Sequence, residues 1–305
     1  MNYRHAYHAG NFADVLKHTV LALVIDYLKR KEAPLRVIDT HAGAGRYALA
    51  SEKAQKTGEW QGGIGRLLGK GAEPLPQDVG ERLRPYLEAV RRANPQGGLH
   101  VYPGSPLVAL ALMRPQDTLI ANELHPEELA SLKAAIGGDR RAKTMALDAW
   151  VALRALLPPK ERRGVVLIDP PFEEAGELER MVGGLAQSLA RFATGIYIAW
   201  YPIKDPKPIR RFRAALAGLR APKLLDVELR IESMRDPERL NSCGLVVVNP
   251  PYTLEGDLAL ILPHLSRRLE AHDGVGGWHL ERIAAGPEDV RAAAPARKRR
   301  MRTRP

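Results

Sequence analysis

Seven short apolar runs punctuate the chain, and the first four each run into an acid. Those at Leu35 to Asp39, Thr118 to Glu123, Ala142 to Asp148 and Gly164 to Asp169 alternate with stretches of helical spacing. That alternation predicts a parallel sheet with helices on both faces, whose ligands sit beyond the carboxyl ends of the strands. Gly195 to Trp200, Lys223 to Leu229 and Gly244 to Val248 complete the seven. Ahead of them, the stretch from about Ala13 to Lys31 reads as a helix with Asp14, Lys17 and His18 on its polar face. Two segments break the rhythm. From Ser51 to Gly98 the chain is polar and rich in Gly, Pro and Arg, with a weak helical period only over Val79 to Arg92. It reads as a helical subdomain, 51–98, inserted between the pieces 1–50 and 99–281 and placed on the substrate side. From about Arg282 onward Ala, Pro and Arg dominate without an apolar stripe, so 282–305 is expected to be a disordered basic tail.

Composition adds a partner class. At 305 residues and 45% hydrophobic, the chain can bury a large core, and its one cysteine, Cys243, excludes a disulfide framework or a thiolate metal cluster. No run is long and apolar enough to cross a membrane, and Met1 to His5 lack the apolar region of a secretory signal, so a cytoplasmic protein is expected. The net charge of +11 and pI near 9.8 favour a polyanionic partner, because each phosphate neutralised by Lys or Arg releases condensed counterions. Part of that excess lies in Arg297 to Arg302.

Asp169-Pro170-Pro171-Phe172, directly after the apolar run Gly164 to Ile168, is the most chemically suggestive stretch. The exocyclic nitrogen of adenine delocalises its lone pair into the ring, so it attacks a methyl donor only when its two N–H groups are held with that pair turned out of plane. A carboxylate at Asp169 can accept one N–H. The carbonyl of Pro170, aimed by a stiff Pro-Pro pair, can accept the other. Phe172 offers a flat face for a base taken out of its stack. Asn249-Pro250-Pro251-Tyr252 has the same form. In a seven-stranded sheet of this kind, however, the last strand runs antiparallel, which puts Asn249 at the wrong edge and makes it a structural turn.

Asp39-Thr40-His41-Ala42-Gly43-Ala44-Gly45 ends the first run, where glycines let the backbone approach a ligand closely. The third glycine of a dinucleotide fingerprint and a phosphate-binding lysine are both missing. What remains suits the aminocarboxypropyl part of S-adenosylmethionine, with Glu123 placed to accept both ribose hydroxyls and Asp148-Ala149 flanking the cofactor's adenine. His5, His8, His18 and His41 raise the idea of a metal site, but no carboxylate stands in a ligand spacing with them, and none is expected.

The run Tyr3 to Asn11, followed by Ala13 to Thr19, resembles the opening of the RlmJ-type 23S ribosomal RNA adenine-N6 methyltransferases. The likeness continues through Asp39 to Tyr47, Tyr102 to Pro106, Glu123 to Pro126, Arg191 to Tyr197 and Trp200 to Pro202, and covers essentially residues 1 to 280. It implies a seven-stranded Rossmann-like class I methyltransferase fold (α/β) with an inserted helical subdomain. It also implies S-adenosylmethionine held by His18, His41, Ser105, Glu123, Asp148, Ala149 and Asp169, with Asp169 catalytic. Tyr3 would gate the target nucleotide, with Lys17, Pro170 and Phe172 facing it. Two positions depart from the family: Phe172 stands where Tyr is frequent, and Ala149 where Gly is found, which leaves a backbone contact at 149. The expected activity is methyl transfer to one adenine of 23S ribosomal RNA by a cytoplasmic monomer without metal. Adenine in DNA, a protein glutamine, a non-catalytic rRNA-binding role and a metal-dependent hydrolase are the alternatives.

Overall fold

The computed structural model describes residues 4–219, 221–233 and 239–284; Tyr3 and residues 285–305 of the expected tail lie outside them, whereas Arg282 and Ile283, assigned to that tail, close a strand, Gly277–Ile283. The strands are β1 (Arg36–Asp39), β2 (Arg46–Ala48), β3 (Val101–Pro103), β4 (Thr118–Asn122), β5 (Ala142–Met145), β6 (Gly164–Ile168), β7 (Ile196–Pro202), β8 (Leu224–Arg230), β9 (Ser242–Val248) and β10 (Gly277–Ile283). Eight of them form one sheet in the order β5-β4-β1-β6-β7-β9-β8-β10. β1, β4, β5, β6 and β7 are mutually parallel. β9 runs antiparallel to β7 and β8, and β10 antiparallel to β8.

All seven expected strands are present, and the count of seven is too low. β10 extends the sheet by one strand at its edge, while β2 and β3 pair separately. β10 carries no apolar run because an edge strand is half solvated and is kept charged against further pairing: Trp278, Glu281 and Arg282 are exposed along it. β2 and β3 are three residues each, too short for a period to register. Helices cover both faces of the main sheet. The helix Glu177–Arg191 and the helix Pro206–Ala217 bury Leu185 and Phe212 on one side. The helices Phe12–Leu28 and Leu254–Leu269 bury Leu16 and Leu262 on the other.

The helix Phe12–Leu28 departs most from expectation. Asn11 caps it, its side-chain oxygen accepting from the amides of Ala13 and Asp14. Val15, Leu16, Val20 and Val24 are fully buried, each contributing about 1.5–3 kcal/mol. Asp14, Lys17 and His18 are buried as well, at 1%, 4% and 1% exposure, so they do not form a solvated face. The reason is that the helix has no free side. It packs on the sheet, on the helix Leu254–Leu269, on the helix Ser105–Leu112, and on Gln77–Arg92 of the 51–98 segment. That segment leaves the body after β2, returns at β3, and applies Val79, Leu83, Tyr86 and Val90 as its buried stripe. Among the described residues, no helix is long and apolar enough to cross a membrane.

Candidate active site

Three parallel strands deliver acids to one edge of the sheet. β1 ends in Asp39, β4 is followed by Glu123 and β6 by Asp169. The loop after β1 is shaped by Gly43 and Gly45, both with left-handed φ. A Cβ on Gly43 would stand 2.2 Å from the Tyr47 hydroxyl, and that hydroxyl accepts the amide of Ala44 at 3.0 Å. Glu123 bridges the loops: its carboxylate accepts the Gly43 amide and the His125 amide, each at 2.8 Å. Burial pushes the Glu123 carboxyl up, against the pull of those two amides.

Asp39 is missing from the residues singled out in the sequence, although it opens the glycine motif. Only 1% exposed, it keeps Oδ2 without a hydrogen-bond partner. Burial raises its pKa to about 6, opposed by the Ser105 hydroxyl and reinforced by the charge of Asp169. Ser105, 7% exposed, opens the helix Ser105–Leu112 just after Gly104, whose amide donates to the Gly45 carbonyl at 2.8 Å. An unsatisfied buried acceptor beside a glycine cradle is what a polar, amine-bearing ligand would complete. The donor set therefore fits the amino-acid end of S-adenosylmethionine.

Lys17 is the second residue whose environment the sequence hides. Its ammonium pairs with Asp169 Oδ2 and, at 2.9 Å, with Asp14 Oδ1. Burial works against that charge, but the two carboxylates together hold the lysine well above its ordinary pKa. Asp14 in turn accepts the amide of Gly10 and meets His5 Nε2, both at 2.9 Å. Burial would raise the Asp14 carboxyl, and the neighbouring His5 and Lys17 outweigh it and hold it well below the usual range. Lys17 thus engages one oxygen of Asp169 and leaves Oδ1 outside that pair.

The four histidines do different work. His18 Nδ1 meets the Tyr102 hydroxyl at 2.7 Å, its ring stacks on Tyr102, and burial drives its pKa to about 3. His41 accepts the amide of Asp169 on Nδ1 at 3.3 Å, and burial lowers it to about 4. The Thr40 hydroxyl also meets His41 Nδ1, at 2.8 Å, and donates to the Leu167 carbonyl at 2.9 Å. His8 meets Glu59 at 3.0 Å, and Asn11 donates to the same carboxylate at 2.9 Å. Gly63 lets the 51–98 segment close on this turn, since a Cβ there would lie 2.1 Å from the Gly10 carbonyl. Among the described residues no three potential metal ligands gather.

Past Asp169 the chain turns through Pro170 and Pro171, and Phe172 adopts a left-handed φ of 53°, a strained conformation for an aromatic residue. Its ring meets Trp200 of β7 edge to face, centroids 5.7 Å apart. Trp200 was also not singled out. Asn249 stands at the other end of the sheet, because Val248 pairs with Tyr197 near the start of β7. Its amide donates to the carbonyls of Ala193 and Gly195 at 2.8 Å, and Tyr252 is 76% exposed. This second motif is a structural turn. Asp148 has a local duty, its Oδ1 capping the helix Ala149–Leu156 through the amides of Trp150 and Val151 at 3.0 Å. Ala149 is buried behind it.

Comparison with known proteins gives a consistent result. The family described as "Ribosomal RNA large subunit methyltransferase D, RlmJ" matches residues 32–284. The "Ribosomal RNA large subunit methyltransferase J" of Escherichia coli K12 is 42% identical over 269 residues, 88% of this chain and 94% of that protein. The protein of the same description from Haemophilus influenzae is 39% identical over 284 residues, 93% of this chain and 99% of its own length. The crystal structure of protein LPL1258 from Legionella pneumophila superposes with a TM-score of 0.81 at 32% identity, covering 90% of this chain and 98% of that one. A family match of that extent, over a sheet that gathers Asp39, Glu123 and Asp169 at one edge, makes the chain a member of the RlmJ family of large-subunit ribosomal RNA methyltransferases.

Proposed function

We propose that the protein transfers a methyl group from S-adenosylmethionine to N6 of one adenine in 23S ribosomal RNA, as a cytoplasmic monomer that needs no metal. The observation that carries this reading is the pairing of Lys17 with Asp169 at the carboxyl end of β6. It orients a carboxylate at the mouth of the site with one oxygen engaged and the other open. The target base leaves its stack and lies against Phe172, braced by Trp200. Asp169 Oδ1 accepts one N6 proton and the Pro170 carbonyl the other, which turns the nitrogen lone pair out of the ring plane.

Bound S-adenosylmethionine would supply an already activated methyl on a sulfonium. Glu123 would hold its ribose hydroxyls, His41, Ser105 and Asp39 its amino-acid end, and Asp148 with Ala149 its adenine. His18 would support that pocket from beneath through Tyr102. Positioning does most of the catalytic work, and the proton leaving N6 passes to Asp169 or to water. Tyr3, outside the described residues, would gate the nucleotide.

The test offers the enzyme labelled S-adenosylmethionine with protein-free 23S RNA, with DNA and with release-factor protein, and maps the product by mass spectrometry. N6-methyladenine in 23S RNA alone is the expected result. Asp169→Ala should abolish it while leaving the fold and RNA binding intact, and Asn249→Ala should retain it. Label in DNA or protein instead, or activity in Asp169→Ala with loss in Asn249→Ala, would overturn the reading.

A further inference from the structure

A groove of about 410 Å³ opens on the sheet edge that carries Asp169, displaced toward β10. Its wall comes from Ile209, Arg210 and Arg213 of the helix Pro206–Ala217, and its far side from Arg230 at the end of β8 and Gly277 at the start of β10. β8 runs in the direction of β7, and β9 and β10 run against them. Arg230, Ser242 and Gly277 therefore share the carboxyl edge with Asp169. Four strand spacings separate β6 from β10, about 19 Å, the reach of roughly five to six stacked nucleotides at ~3.4 Å each.

The side chains suggest a polyanion. Three arginines line the groove against one glutamate, Glu228. Among the described residues neither Arg210 nor Arg230 forms an ion pair, whereas Arg213 is held from below. Its Nε donates to Asp226 at 2.6 Å and its guanidinium pairs with Glu228. Tyr201 donates to Asp226 at 2.5 Å, and Asp226 is wholly buried. A fully buried carboxylate must be compensated, and here the compensation fixes an arginine at the groove floor, far from any part it could play in methyl transfer. Lys204 and Lys207 are exposed beside it, and Trp278, 44% exposed, stands on the rim. The basic tail does not account for the whole charge, since residues 285–305 hold only seven of the 46 basic residues and two of the 35 acidic ones.

We propose that this groove binds the phosphate backbone of the ribosomal RNA flanking the target adenine, with Arg210 and Arg230 as its two free phosphate contacts. The proposal rests on the RNA-methylating function and adds the path the strand follows past Trp200 to the edge of the sheet. Phosphate contacts of this kind set register without reading sequence.

The test is a full-length double variant, Arg210→Glu with Arg230→Glu, beside the conservative pair Arg210→Lys with Arg230→Lys. Equilibrium binding of protein-free 23S RNA is measured at several salt concentrations, together with the KM for RNA, S-adenosylmethionine affinity and the melting temperature. Both arginines are at the surface, so the variants should fold. The reversed pair should weaken RNA binding by about tenfold per lost charged contact and lower the slope of log affinity against log salt by about two. KM for RNA should rise, cofactor affinity should stay, and the lysine pair should restore most of the binding. Unchanged RNA affinity and salt slope in the reversed pair, with wild-type protein active on 23S RNA, would overturn the groove. So would a loss that the lysine pair fails to recover. Wild-type protein that methylates no 23S RNA would instead sink the function itself, whatever the binding curves show.

Discussion

Acid should destabilise this protein through its buried neutral imidazoles, and His18 isolates one of them. His18 is 1% exposed and its pKa falls to about 3, against 6.5 for a free histidine, because burial disfavours the imidazolium. The unfolded chain takes up a proton at His18 on acidification and the folded chain does not. Stability from this group is therefore complete above pH 6.5 and drains away as the pH drops from 6.5 toward 3. At pH 5.0 the loss is about 2 kcal/mol, or ~3 °C of melting temperature for a chain of this size. His18→Asn keeps a polar atom near the Tyr102 hydroxyl and removes the titration. Melting temperatures of both proteins without cofactor at pH 7.5 and 5.0 give the comparison. The substitution lowers both melting points, so only the difference between the two pH values matters. The variant should lose ~3 °C less on acidification than wild type. Equal losses in the two proteins would mean that His18 is not the neutral buried base described here.

Further outcomes follow from the site. Phe172→Tyr should remain near wild type, and Phe172→Ala should lose about tenfold to a hundredfold in kcat/KM, since base stacking is worth roughly 1–3 kcal/mol; an unaffected alanine variant would remove the stacking role. Gly43→Ala puts a methyl against the Tyr47 hydroxyl at a φ of 59°, so calorimetry should show S-adenosylmethionine binding at least ~10-fold weaker, and unchanged affinity would remove the glycine loop from the cofactor site. Deleting residues 286–305 should weaken RNA binding and flatten its salt dependence without moving the methylated adenine, whereas Tyr3→Ala should spare affinity and slow methylation. A shifted methylation site in the truncated enzyme would contradict that division.

Much of this was legible because it depends on short-range order. Each of the seven apolar runs became a strand, and the antiparallel course of β9 placed Asn249 away from Asp169 as its sheet position requires. The edge strand β10 was hidden because half-solvated strands alternate charge with apolar residues. Most obscure was the polar trio of the helix Phe12–Leu28. On a helix, Asp, Lys and His at spacings of three and four read as a face turned to water. Whether they face water or one another's charges depends on Asp169, 152 residues away from Lys17, and no local pattern encodes that contact. Asp39 was visible as a letter of the glycine motif, but its unsatisfied oxygen belongs to the packing of β1 under Ser105.

The separation of Lys17 from Asp169 matters most while the chain is being made. Synthesis delivers the lysine long before Asp169, so the nascent helix carries a cation destined for the interior whose distant partner does not yet exist. Asp14, one turn earlier on the same helix, already neutralises it at 2.9 Å, and the helix can dock on the growing sheet as a charge-balanced unit. When β6 is finally threaded beside β1, Asp169 arrives at an ammonium already in place. With the second carboxylate, Asp14, Lys17 and Asp169 together carry one net negative charge at the carboxyl end of β6.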